Sequence, residues 1–349
     1  MKKLLSLVLT LAFMAGFALT PALAAAPQTY TVLVGAEDAN RGIDITAYFP
    51  NTLYVHVGDT VHWVQNSFEV HTVSFMAGAT TLPDILVPAP ANPISPFMFN
   101  PVVVFPSVPA SGLYDGSSFV NSGLMGMEAG QVKEFSLTFT KAGTFEYVCL
   151  VHGLAMSGKI IVVDASVAIP TPAMVKAAGL SQAGKSLADA SNLFLQAQAD
   201  VPAPIHNPDG TTTYHVQVGF SHGNVDLMSF FPDKLVVHPG DTVEWSFGGM
   251  NMAPHTVTFL NGAAEPDLIV PYPQAGGPPL LLINPAVLFP ANLGAPLTRQ
   301  GFYNSGIRSP DLPTPLTYAL KIGDMNGQIY YECLLHDASG MKGSLIVAP

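Results

Sequence analysis

Two stretches of the sequence, FEYVCLVHGLAMSG (residues 145–158) and IYYECLLHDASGMKG (residues 329–343), each carry a Cys, a His three residues later and a Met shortly after. They hold the only two cysteines among 349 residues. Alternation in GTFEYVC puts Phe145, Tyr147 and Cys149 on one face of a strand, and in GQIYYEC it does the same for Ile329, Tyr331 and Cys333. The large apolar members mark the core side, so each thiol points inward at a strand end. A short loop then folds His152 and Met156, or His336 and Met341, back around it. A fourth group, His71 or His255, arrives from a strand 78 residues before the cysteine in each half.

Thiolate and thioether are soft donors and imidazole is borderline. A trigonal site of two His and one Cys with a weak axial Met suits copper that exchanges single electrons. The metal ligands expected are therefore His71, Cys149, His152 and Met156 in one half, and His255, Cys333, His336 and Met341 in the other. Zinc accepts Cys and two His but gives no reason for the Met. A nucleophilic Cys–His pair would need neither the distant His nor the Met. A lone buried His or Met is usually core; the same quartet twice is not.

The chain is an internal duplication. TYTVLVG at Thr29 returns as TYHVQVG at Thr213, LYVHVGDTVHW as LVVHPGDTVEW, NPVVVFP at Asn100 as NPAVLFP at Asn284, and FVNSG as FYNSG. The offset is 184 from His71 to His255, from Cys149 to Cys333 and from His152 to His336. Equivalent cysteines in two separate cores are poorly placed to meet in a disulfide, which requires Cα atoms within about 7 Å. Short alternating strands broken by Gly and Pro predict an all-β chain of two tandem Greek-key β-sandwich domains, 27–165 and 206–349. Trp63 and Trp245 read as core aromatics. Between them, in 166–205, Thr171-Pro172 opens a helix whose apolar stripe is Leu180, Ala183, Leu187, Ala190, Phe194 and Ala197. It reads as a spacer packed on one or both domains.

GDTVHW, HTVSF and GTFEYVCLVHGLAMSGKIIV, with their second-half counterparts, resemble the plastocyanin/azurin (cupredoxin) family. The likeness covers the two ends of each repeat, whose middle is longer than in small plastocyanins. The spacing of Cys333, His336 and Met341 resembles plastocyanin directly. Met156 departs from it, with three residues after His152 instead of four, and Met125 and Met127 are outside candidates for its role. The resemblance implies a metal near one end of each sandwich. It also implies that His152 and His336 sit at the surface edge as the electron port, and that Thr72 and Thr256 support the ligand loops. The other histidines, His56, His62, His206, His215, His222 and His238, are assigned to no metal.

Family enzymes with further copper sites, such as multicopper oxidases and nitrite reductases, place a His directly before the Cys or use His-x-His pairs. Val148 and Glu332 precede the cysteines here, and no His-x-His occurs. The expectation is an electron carrier with two type 1 copper sites and redox proteins as partners, not an enzyme. Copper storage or delivery is the alternative, although the Met residues are scattered, not clustered.

Composition sets the remaining bounds. Lys2 and Lys3, an apolar run from Leu4 to Leu19 and Ala22-Leu23-Ala24 predict a signal peptide over 1–24, with a periplasmic or extracellular mature protein. The formal net charge of −11 becomes −13 without those two lysines, which disfavours nucleic acid as a partner. The greasiest later stretch, residues 278–293, is broken by Pro285 and Pro290, so no integral membrane segment is expected in the mature chain. The Pro-rich segments Leu82 to Pro109 and Pro266 to Pro290 are candidates either to wall the metal end or to dock a partner.

Overall fold

A computed structural model describes residues 26–89, 92–126, 132–248 and 253–349. The segment read as a signal peptide and Met127 lie outside the described residues. The chain folds as two β-sandwiches. In the strand Thr29–Asp38, alternate residues Tyr30, Val32 and Val34 are buried, as a strand with one face on a core requires. It pairs in parallel with Thr60–Gln65 and antiparallel with Ile43–Phe49. The facing sheet is built from Thr52–His56, Gly153–Val163, Gly143–Cys149, Ser74–Phe75 and Val120–Asn121. Trp63 lies fully buried between the sheets, edge-on to Tyr147 with ring centroids 5.4 Å apart. The second sandwich repeats this arrangement, and Trp245 meets Tyr331 at the same 5.4 Å. Each cysteine belongs to its own core, and both are free.

The two sandwiches share one ten-stranded sheet. It is closed by an antiparallel pairing of Ile43–Phe49 with Val225–Phe231, in register Val225↔Ile45, Asp226↔Asp44 and Leu227↔Ile43. These strands are the same segment of the two repeats, IDITAYFP (residues 43–50) and VDLMSFFP (residues 225–232). Asp44 and Asp226 are thus equivalent positions facing one another, so the seam has local two-fold symmetry, as an isologous dimer interface has. The Pro-rich segments form a second seam. Leu86–Pro88, Phe97–Phe99, Leu280–Ile283 and Ile269–Tyr272 make a four-stranded sheet across the two halves. Its central pair, Met98↔Leu282, again joins equivalent positions. Each segment continues into one helical turn, Pro101–Val104 or Pro285–Leu288, capped by the side chain of Asn100 or Asn284 with Pro at N1. These segments therefore wall the ends of the sandwiches. Val103 packs with Val148 and Leu150, and Val287 packs with Leu334 beside the second cysteine.

The helix expected between the repeats spans Pro172–Ala199, and the Thr171 hydroxyl accepts a hydrogen bond from the Met174 amide. Its buried face is Val175, Gly179, Ala183, Ala190 and Ala197. It packs with Ile43, Ile45 and Phe49 of the first half and Phe220, Leu227 and Phe231 of the second, so it lies across the seam. The expected stripe needs one correction. Leu180 is 54% exposed and Gly179 takes the inward position. The reason is distance: a Cβ on Gly179 would stand 2.7 Å from the Phe49 carbonyl oxygen. No residue but glycine lets the helix approach the sheet this closely.

Two substitutions in this helix are therefore expected to differ in sign. Gly184 has open space around its Cβ position, so Gly184→Ala gains helix propensity and stabilises by about 0.5–1 kcal/mol. Gly179→Ala has the same propensity gain but drives a methyl into backbone, and it destabilises. Thermal unfolding of both variants checks the pair.

Candidate metal centres

The structure brings three of the four expected residues of each half together by atom-to-atom contact. In the first half His71 Nδ1 lies 3.2 Å from His152 Nδ1, and Cys149 Sγ lies 3.4 Å from His152 Nδ1. In the second, His255 Nδ1 and His336 Nδ1 are 3.0 Å apart, and Cys333 Sγ is 3.7 and 3.4 Å from them. Donor atoms at such separations form a triangle whose centre stands about 2 Å from each corner, the length of a metal bond to imidazole or thiolate. The donor set and its spacing fit a metal ion of the kind expected. Met156 and Met341 are fully buried in the same cores as Cys149 and Cys333. Met341 is tied to its loop by backbone bonds, Cys333 N–H to the Met341 carbonyl and Met341 N–H to the His336 carbonyl, both 3.1 Å. Met125 is also buried and exchanges both backbone hydrogen bonds with His71.

The first histidine and the cysteine are distant in sequence, and Thr72 joins them. Its amide donates to Cys149 Sγ at 3.3 Å, and its hydroxyl accepts from the Leu150 amide at 2.7 Å. Thr256 does the same for Cys333 and Leu334 at 3.3 and 2.8 Å. A third element is locked on by residues not singled out in the sequence. The Asn121 amide donates to the carbonyls of Val102 and Val103 in the helical turn, while its oxygen accepts from Ser74. Asn304 repeats this with Ala286, Val287 and Thr258. The FVNSG and FYNSG repeats carried that signal. His71 is placed from its other side by Ser67, whose hydroxyl is 3.0 Å from Nε2. Gly35, at φ 73°, leaves the room: a Cβ there would stand 2.7 Å from His71 Nε2.

Burial dominates the electrostatics. It holds His71 and His255 well below the ordinary imidazole range, His152 down to about 4 and His336 down to about 3. It pushes the Cys149 thiol up and the Cys333 thiol up to about 11. At neutral pH the imidazoles are uncharged, each with one unprotonated ring nitrogen ready to donate to a metal, while each thiol keeps its proton.

The expectation that His152 and His336 lie at a surface edge is corrected. His336 is buried, and the His152 side chain is only 17% exposed. Both rings turn into the space between the sandwiches, where Glu69 stands between them. His152 Nε2 is 3.9 Å from Glu69 Oε1, and His336 Nε2 is 3.6 Å from Glu69 Oε2. Burial, with Asp226 adding to it, raises the Glu69 carboxyl to about 7. The seam supplied by the other domain has replaced the solvent that a single sandwich would offer.

Residues 36–163 match the family of copper binding proteins, plastocyanin/azurin family. This part of the chain resembles that family. The match takes in His71, Cys149, His152 and Met156 of the first half. Solved structures similar to the chain include a Cu(I) mutant of amicyanin, 24% identical over 39% of this chain and 82% of that one, with a TM-score of 0.23. An oxidized amicyanin mutant matches over the same shares at 23% identity and the same score. No curated protein matches the chain. No helix among the described residues is long and apolar enough to cross a membrane.

Two outcomes follow from the site geometry. Thr72→Val keeps the volume but leaves the Leu150 amide without its acceptor. It should destabilise the metal-free protein by about 1–3 kcal/mol in denaturant unfolding and weaken metal binding about ten- to a hundredfold in a competition titration. Divalent metal loading at pH 7 should release slightly more than one proton per centre, one from each thiol and a share from the Glu69 carboxyl, which titrates near neutrality beside both outer imidazoles. Calorimetry in buffers of different ionisation enthalpy measures that number, and two or more per centre would mean that the imidazoles begin protonated.

Proposed function

We propose that the protein is an exported electron carrier with one type 1 copper centre in each half. His71, Cys149, His152 and Met156 would hold one ion, and His255, Cys333, His336 and Met341 the other. The observation that carries this reading is the preassembled donor set. In each half one thiol and two imidazoles converge within bonding distance of a common point, with Thr72 or Thr256 fixing the cysteine. Copper bound there supplies a one-electron Cu(II)/Cu(I) couple. The protein's part is to hold the donors at one spacing, so that little moves when the electron arrives, and to keep water away from the ion.

Storage or delivery is the second reading. Burial of the donors speaks against it, because a metal in transit needs ligands that a recipient can reach. Cys149, His71, Cys333 and His255 have almost no exposed surface. Partners would be redox proteins, and the amino-terminal segment would direct export to the periplasm or beyond.

The test is a copper titration followed by visible absorption. Two ions per chain are expected, with the intense thiolate-to-copper band of each. Cys149→Ser and Cys333→Ser should each abolish one ion and one band. A parent that stays colourless and takes only zinc would sink the proposal.

A further inference from the structure

The two candidate centres are joined by a residue that the duplication does not explain. Asp44 opposite Asp226 and Met98 opposite Leu282 mark the local two-fold relation of the halves. His152 and His336, equivalent in the repeats, face each other across it. In both rings Nδ1 lies against the thiol, so Nε2 is the outward nitrogen. Both outward nitrogens approach Glu69, one on each carboxylate oxygen, at 3.9 and 3.6 Å. Glu69 breaks the symmetry: the seven residues between Trp63 and His71 become nine between Trp245 and His255, and none of those nine is acidic. One half alone supplies the group between the centres.

A metal-bound imidazole keeps its remaining proton on the outward nitrogen, and a carboxylate facing that N–H orients the ring and raises its donor strength. Here a single carboxylate faces two such rings. The side chains of Glu69 and His336 are 12% and 6% exposed, so the contact is sheltered from water that would screen it. Resting on the copper reading above, we infer that Glu69 couples the two centres into one intramolecular electron-transfer unit, its carboxylate serving the outer imidazoles of both. The step moves one electron from the reduced centre to the oxidised one, with no bond made or broken. Glu69 acts as a positioning residue for both rings.

The experiment uses the full chain loaded with copper, alongside Glu69→Gln, Glu69→Ala, Cys149→Ser and Cys333→Ser. One blue centre in each cysteine variant establishes the underlying copper reading by itself. If neither variant is blue, that reading fails first. In the doubly oxidised parent, electron paramagnetic resonance should show dipolar broadening absent from both single-centre variants. After substoichiometric reduction by a pulse-generated radical, the parent should re-equilibrate between centres in a phase whose rate does not depend on protein concentration. Glu69→Ala should slow that phase by about tenfold or more. Glu69→Gln, nearly isosteric, should raise the reduction potential of both centres, since the loss of a nearby negative charge favours the reduced ion. The second centre is the decisive one, because Glu69 lies two residues from His71 and any local disturbance would reach the first. The inference is overturned if both cysteine variants are blue yet the parent lacks the broadening or the concentration-independent phase. A potential shift confined to the first centre overturns it as well. So does a third copper ion bound by the parent and lost in Glu69→Gln, which would make this group a metal site.

Discussion

A cross-link between two stretches of chain 77 residues apart sets the rest of the structure. Thr72 gives its amide to Cys149 Sγ and takes the Leu150 amide on its hydroxyl. Without that pair of hydrogen bonds, the strand that carries His71 and the loop that carries His152 would have no fixed spacing. Three donor atoms would not then share a centre about 2 Å from each. The sandwich explains how the link forms. Ser74 pairs with Val148, so the two strands are neighbours and Thr72 and Cys149 emerge side by side at the same end. Asn121 and the capped helical turn Pro101–Val104 then close that end. Every part recurs in the second half.

The seam between the halves follows a different rule. Like charges directly opposite in an antiparallel pair repel, yet Asp44 faces Asp226. Burial, reinforced by Glu69, Asp226 and Glu37, pushes the Asp44 carboxyl well above its ordinary range, and burial raises Asp226 as well. The charged forms are thus disfavoured at both positions, while a hydrogen bond from the Ser221 hydroxyl works the other way on Asp226. Apolar packing of the helix Pro172–Ala199 across Ile43, Phe49, Phe220 and Phe231 supplies the attraction. A gain from buried apolar area of this kind scales with surface removed from water and needs no particular partner atoms. It can therefore hold an acidic seam closed.

Burial has one further effect, on the metal ligands. His152 and His336 follow the cysteines by three residues, at the ends of the sandwiches that meet at the seam. Two sandwiches joined edge to edge through a shared sheet turn both of these rings toward each other. The second Pro-rich sheet, paired through Met98 and Leu282, fixes that arrangement from another side. The long middle segments of the repeats thus serve to wall and join the halves.

The sequence by itself determined the duplication, the strand character and the ligand types. These are local or periodic properties: alternation fixes which way Cys149 points, and the repeat fixes which residues are equivalent. It also carried Thr72, Thr256 and the FVNSG pair, though only the fold gave Asn121 and Asn304 their partners. Tertiary structure alone decided what no periodicity encodes. Gly179 replaced Leu180 on the helix face because of a backbone oxygen in a different element. The histidines lost their solvent because the halves associate through equivalent strands. Glu69, unmatched in the other repeat, gained its place between His152 and His336, 83 and 267 residues further along the chain, only when the fold brought them together. Such a contact depends on the relative placement of two domains, and one-dimensional spacing holds no record of that.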